Sequence, residues 1–133
     1  MPKSRRGGKS RRRLPHYKQA KIPQEKVGNY LLNPENENAN GKPEFFAKLG
    51  YNMKNERQLI QDIKKGLGEN TAKQYKADEY GRTNFEVVME IGLTQKSKVK
   101  TIWAIDKGAK IPRFVTAYPY RKWGKRKWSN LMN

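Results

Sequence analysis

Residues 83–119 read TNFEVVMEIGLTQKSKVKTIWAIDKGAKIPRFVTAYP, and their periodicity decides the fold. From residue 84 to residue 91 the side chains alternate. Phe85, Val87, Met89 and Ile91 share one side; Asn84, Glu86 and Glu90 share the other. A period of two marks a strand with one buried and one wet face. KVKTIWAID (98–106) is a second β-branched and aromatic run and IPRFVTAYP (111–119) a third, with DKGAK (106–110) as the turn between them. Consecutive strands joined by short turns predict an antiparallel meander, and residues 72–79 offer a fourth, weaker strand.

Upstream, the period becomes helical. In NGKPEFFAKLGY (40–51), Pro43 suits a first helical turn, Phe45, Phe46 and Leu49 fall on one side, and Gly50 can take a left-handed stop. A second helix is expected from Asn55, read as an N-cap with Gln58 three residues on. Leu59, Ile60, Ile63 and Leu67 give it one apolar stripe, and Gly66 and Gly68 weaken and end it. Helices followed by a meander predict an α+β fold, with N-terminal helices packed on an antiparallel sheet of three to four strands.

The formal charge is +18 over 133 residues, which calls for an anionic partner. Residues 1–27 carry ten Lys/Arg against Glu25 alone, and residues 121–133 carry five with no acid. The residues between are nearly balanced. The expected organisation is therefore a flexible basic arm (1–27), a folded domain (28–120) opening at NYLLNPE, and a basic aromatic tail (121–133). Cysteine is absent and His16 is the single histidine, which excludes a disulfide framework and disfavours zinc. No apolar stretch approaches a membrane span, so a soluble monomer is expected.

NYLLNPE, GKPEFFAKLGY, EYGRTNFEV, VKTIWAID and PRFVTAYP, in this order and spacing, resemble a toxin domain at the C-termini of bacterial polymorphic and contact-dependent inhibition toxins. That domain is grouped by fold with the barnase, EndoU, colicin D and RelE ribonucleases. The resemblance covers about residues 26–119. It implies a ribonuclease, delivered or secreted within a larger toxin to act in the cytoplasm of a target bacterium, and an acidic immunity protein as inhibitor. Many such sequences have a histidine just after the NP; here the segment reads NPENENANGK.

Metal-independent RNA cleavage needs a base for the 2′-hydroxyl, an acid for the leaving 5′-oxygen, and positive charge around the phosphorane. One histidine cannot fill two imidazole roles, so Lys, Arg, Tyr or carboxylate groups must share the work, without a cofactor. Plain alternation in the last strand sets Phe114, Thr116 and Tyr118 on one face and Arg113, Val115 and Ala117 on the other. In one hairpin register Thr101 faces Thr116, Trp103 faces Phe114 and Val99 faces Tyr118. A one-residue slip brings Lys100 to Thr116 and Lys98 to Tyr118. The candidate catalytic residues are Thr116, Tyr118, Arg113, Lys42, Lys100, Thr101 and His16.

In the tail, Arg121, Lys122, Trp123, Lys125, Arg126, Lys127 and Trp128 interleave charge with aromatic rings, a pattern suited to holding RNA by stacking and phosphate neutralisation. The leading expectation is an antibacterial endoribonuclease with tRNA as a candidate substrate. The alternative is a non-catalytic nucleic-acid-binding module whose basic arms supply the affinity.

Overall fold

In the computed structural model of the protein, which describes residues 12–36 and 41–120, the alternating segments form one antiparallel sheet. Its strands lie in chain order: β1 (Ala72–Gln74), β2 (Thr83–Ile91), β3 (Ser97–Ile105) and β4 (Arg113–Pro119). Helices α1 (Lys42–Lys48) and α2 (Glu56–Glu69) precede it, so the fold is α+β. Phe85, Val87, Met89 and Ile91 of β2 and Val99, Thr101 and Trp103 of β3 are all buried on one face. Over that face lie Phe46 and Leu49 from α1 and its end, and Leu59, Ile63 and Leu67 from α2. The period of two and the period of 3.6 meet in a single core.

Local chemistry sets the helix ends. Pro43 stands in the first turn of α1, as expected, and Gly50 adopts φ +100°, which an L side chain rarely does. The cap of the second helix lies one turn earlier than its sequence suggested. Asn52 and Asn55 form a reciprocal capping pair around the 3₁₀ turn Met53–Asn55, and α2 continues from Glu56. Asn55 is thus engaged with the Asn52 N–H and the Gly50 carbonyl instead of capping α2 itself. Gly66 does not end α2 either. A Cβ there would stand 2.5 Å from Met89 Sδ, so glycine lets the helix approach β2 closely.

The β3–β4 hairpin corrects the expected faces. Trp103 opposes Phe114, as in the first register, but Ile102 opposes Thr116 and Lys100 opposes Tyr118, so Val115 is left over as a bulge. The extra residue resets the alternation. Phe114 and Ala117 are both buried, while Thr116 and Tyr118 lie on the other face. Phe114 does not share a side with Thr116 and Tyr118. Burial favours this solution: Phe114 meets Trp103 edge-to-face at 5.4 Å, and Ala117 also turns into the core. The Val115 carbonyl accepts a hydrogen bond from Lys26 Nζ at 3.2 Å.

The folded body also begins earlier than residue 28. The Arg12 carbonyl accepts from Ala72 N–H at 2.7 Å, so this segment meets the sheet beside β1. Lys21 lies parallel to Arg113 at the opposite edge, donating to the Pro112 carbonyl and accepting from Phe114 N–H. Between these ties Leu14, Ala20 and Val27 are buried. A few apolar residues scattered through a basic stretch read as an arm in a local average, yet distant backbone partners fix them in the core. Residues 1–11 and the tail 121–133 lie outside the described residues. Among the described residues no helix is long and apolar enough to cross a membrane.

Candidate functional site

One face of the sheet is covered by helices; the other carries polar and charged groups. At its β4 edge sits the π-helical turn Lys26–Leu31, closed by the Leu32 N–H to Val27 carbonyl bond. Val27 and Leu31 point into the core, while Lys26 and Tyr30 reach toward β4 and α1. A π turn widens the backbone ring and is frequent at functional positions.

Lys42 opens α1 and is only 7% exposed. Its Nζ donates to the Tyr30 hydroxyl and to Thr116 Oγ1, both at 3.0 Å. It also lies 5.8 Å from the centre of the Tyr118 ring. Among the described residues no carboxylate forms an ion pair with it. A buried cation is costly to desolvate unless hydrogen-bonded and paired, and here the ammonium is held by two neutral oxygens.

The two phenols around Lys42 titrate in opposite directions. Burial alone would raise Tyr30, but the hydrogen bond and charge of Lys42, the Thr116 hydroxyl and the charge of Lys26 outweigh it and hold the phenol below its ordinary value. Tyr118 is pushed up, first by burial and then by the negative charge of Glu86. Neighbouring groups with pKa values driven apart are the usual arrangement of a base and an acid.

From this cluster polar contacts continue across the sheet. Lys100 Nζ lies 5.7 Å from the Tyr118 ring centre and 5.9 Å from that of Tyr120. The same ammonium is 3.5 Å from Glu86 Oε1, which also accepts the hydroxyl hydrogen bond of Tyr75. β4, β3, β2 and the end of β1 thus each contribute one link.

Of the residues expected from sequence, Lys42, Thr116, Tyr118 and Lys100 come together. Three do not. Thr101 is fully buried on the covered face, donating to the Val87 carbonyl and accepting from Trp103 Nε1, so its role is to satisfy the core. Arg113 holds Asp106 through two bonds of 2.8 and 3.0 Å and braces the hairpin turn. His16 is exposed in a left-handed conformation before the 3₁₀ turn Tyr17–Gln19, on the segment that packs against α2. The tail residues Arg121, Lys122, Trp123, Lys125, Arg126, Lys127 and Trp128 lie outside the described residues. Sequence reasoning missed Tyr30, which stands within NYLLNPE, and Glu86, set on the wet side of its strand. Only contacts across roughly 12 and 74 positions of chain join Lys42 to Tyr30 and to Thr116. Among the described residues no group of three His, Cys, Asp or Glu is placed to hold a metal ion.

Fold and site together define a small α+β domain with one helix-covered sheet face and one cationic, tyrosine-rich open face. The chain belongs to the family described as a domain of unknown function (DUF6883), whose model matches residues 13–121. That span includes both Arg13 and Leu14 and reaches the end of the described sheet. No curated protein and no solved structure matches the chain.

Proposed function

We propose that this domain is a metal-independent endoribonuclease, acting as an antibacterial toxin. The observation that supports the reading best is the nearly buried Lys42 ammonium, held by Tyr30 and Thr116 at 3.0 Å with no carboxylate paired to it among the described residues. A scissile phosphate bound there meets positive charge where charge grows in the transition state. Tyr30 Oη, eased toward phenolate, takes the proton of the ribose 2′-hydroxyl. The 2′-oxygen then attacks phosphorus as the bond to the 5′-oxygen breaks. Tyr118, whose phenol retains its proton, protonates that leaving oxygen. The products are a 2′,3′-cyclic phosphate and a free 5′-hydroxyl. Thr116 orients Lys42, and Lys100 adds a second positive charge beside Tyr118.

The resemblance to polymorphic-toxin domains adds the biological setting: delivery within a larger protein, tRNA as candidate substrate, action in the cytoplasm of a target bacterium, and an acidic immunity protein over the open face. Complementary charge would speed such an inhibitor's association. Incubating the full chain with total RNA, with and without EDTA, tests the enzymatic reading. Discrete fragments with cyclic-phosphate ends are expected in both. Intact RNA under every condition would overturn it and, if binding is salt-sensitive, favour a non-catalytic nucleic-acid-binding module.

A further inference from the structure

We infer that the domain takes its nucleic acid as a single strand laid across the open face, with one unpaired base stacked on Tyr75 beside Glu86. This rests on the phosphate-binding reading of Lys42 given above and extends it to the substrate's form.

Tyr75 follows β1 and is 40% exposed, yet its ring is held on two sides. Its hydroxyl donates to Glu86, and Lys73 Nζ stands 5.3 Å from its ring centre. An accessible aromatic face with a fixed orientation stacks a base with little ordering cost, and every base has a face to offer. Glu86 and Lys73, which both meet the Tyr75 side chain, also line a depression of about 520 Å³ with Thr71, Gln74 and Val88, so Tyr75 borders it through them. That is room for a flat heterocycle.

Positive charge is doubled at the β4 side, where Lys42 and Lys26 stand; Lys100 on β3 and Lys73 on β1 flank the Glu86 carboxylate of β2. A carboxylate repels phosphate but accepts N–H donors from a base edge. The phosphate therefore belongs at the β4 side and a base toward β1. β4 and β1 are the outer strands of the sheet, and the Lys100–Glu86 pair lies between Tyr118 and Tyr75. The stacked base is thus a neighbour of the cleaved linkage rather than the nucleotide at it. A duplex keeps its base faces stacked inside the helix and cannot present one to Tyr75, whereas an unpaired strand, loop or bulge can.

Binding to a labelled 2′-O-methyl oligonucleotide, alone or annealed to its complement, tests this with the full chain by fluorescence anisotropy at one salt concentration. The methylated strand has no nucleophile and cannot be cut. Wild type should favour the single strand over the duplex, and Tyr75→Leu should weaken single-strand binding roughly tenfold while duplex binding stays unchanged. Tyr75→Phe, which retains the ring, should keep most of the affinity. Equal or tighter duplex binding by wild type, or a leucine variant that binds both forms as wild type does or loses both equally, would overturn the inference. Circular dichroism checks that Tyr75→Leu is folded; if it is not, the wild-type comparison of strand and duplex decides alone. Failure of the nuclease reading appears elsewhere, as uncut ribose RNA with this preference intact. Retained cleavage without a single-strand preference is the failure of this inference alone.

Discussion

The two faces of the sheet are built from the same strands and alternate residues, yet they differ in chemistry. On the covered face Trp103, Phe114, Val99 and Met89 are essentially inaccessible, and Thr101, a polar side chain among them, has its hydrogen bonds satisfied inside. On the open face Lys42, Tyr30, Thr116, Tyr118, Lys100 and Glu86 are linked by charge and hydrogen bonds, and Lys42 lies nearly buried without a carboxylate partner among the described residues. One face is satisfied by its own neighbours. The other holds charges and phenols whose partners are one another, at the surface of the domain.

The comparison breaks most visibly at Trp103. Trp103→Ala removes a fully buried ring and leaves the Thr101 hydroxyl without its donor, so unfolding free energy should fall by about 3–5 kcal/mol. Denaturant titration measures this. RNA cleavage should fall only with the folded fraction, and a separate loss of rate in folded protein would show that the two faces are not independent.

Lys42→Met should do the opposite. Replacing a nearly buried cation by an apolar chain of similar length should leave the melting temperature unchanged or raise it. Single-turnover cleavage should drop by about 10²–10³, the magnitude typical of losing one preorganised stabiliser of transition-state charge. Parallel loss of stability and rate would make Lys42 a structural residue and dissolve the contrast.

Smaller effects sharpen the assignment of the two phenols. A base must be deprotonated and an acid protonated, so cleavage should rise with pH through the titration of Tyr30 and fall above that of Tyr118. Thr116→Val removes a hydrogen bond that helps keep Tyr30 low, so the ascending limb should move to higher pH with a few-fold lower rate at neutrality. Tyr118→Phe should abolish the descending limb. Rate–pH profiles of the three proteins decide between this order and the reverse.

The smallest effect is expected at the hairpin turn, on neither face. Hydrogen bonding to Arg113 holds the Asp106 carboxyl below the usual range, against some burial. A carboxyl lowered on folding adds stability above its unfolded pKa, and that stability is lost as pH falls through the folded value. Melts of wild type and Asp106→Asn should therefore differ slightly at neutral pH and converge in acid. Cleavage should be the same for both.

The strands and helices were legible in the sequence because their periods are local. Phe85 to Ile91 alternate without interruption, and Leu59, Ile63 and Leu67 fall on one stripe; each pattern matches the side that is buried. Four of the six residues grouped at the candidate site were legible too, since Lys42, Thr116, Tyr118 and Lys100 are residue types that phosphate chemistry needs. Arg113 and Thr101 were chosen by the same logic, and nothing local distinguishes them from the others. Their partners, Asp106 across the turn and Trp103 two residues along, already satisfy them.

The sequence by itself determined the class of fold and the side of β2 that would be buried, because hydropathy is a property of residues and short windows. Tertiary structure alone decided the bulge at Val115, the docking of residues 12–27 along both sheet edges, and the meeting of Tyr30, Lys42 and Thr116. Those outcomes depend on which distant groups compete for one core and one set of hydrogen bonds. A single unpaired residue in β4 turned Thr116 and Tyr118 away from Phe114 and toward Lys42, and no period read along one strand contains that choice.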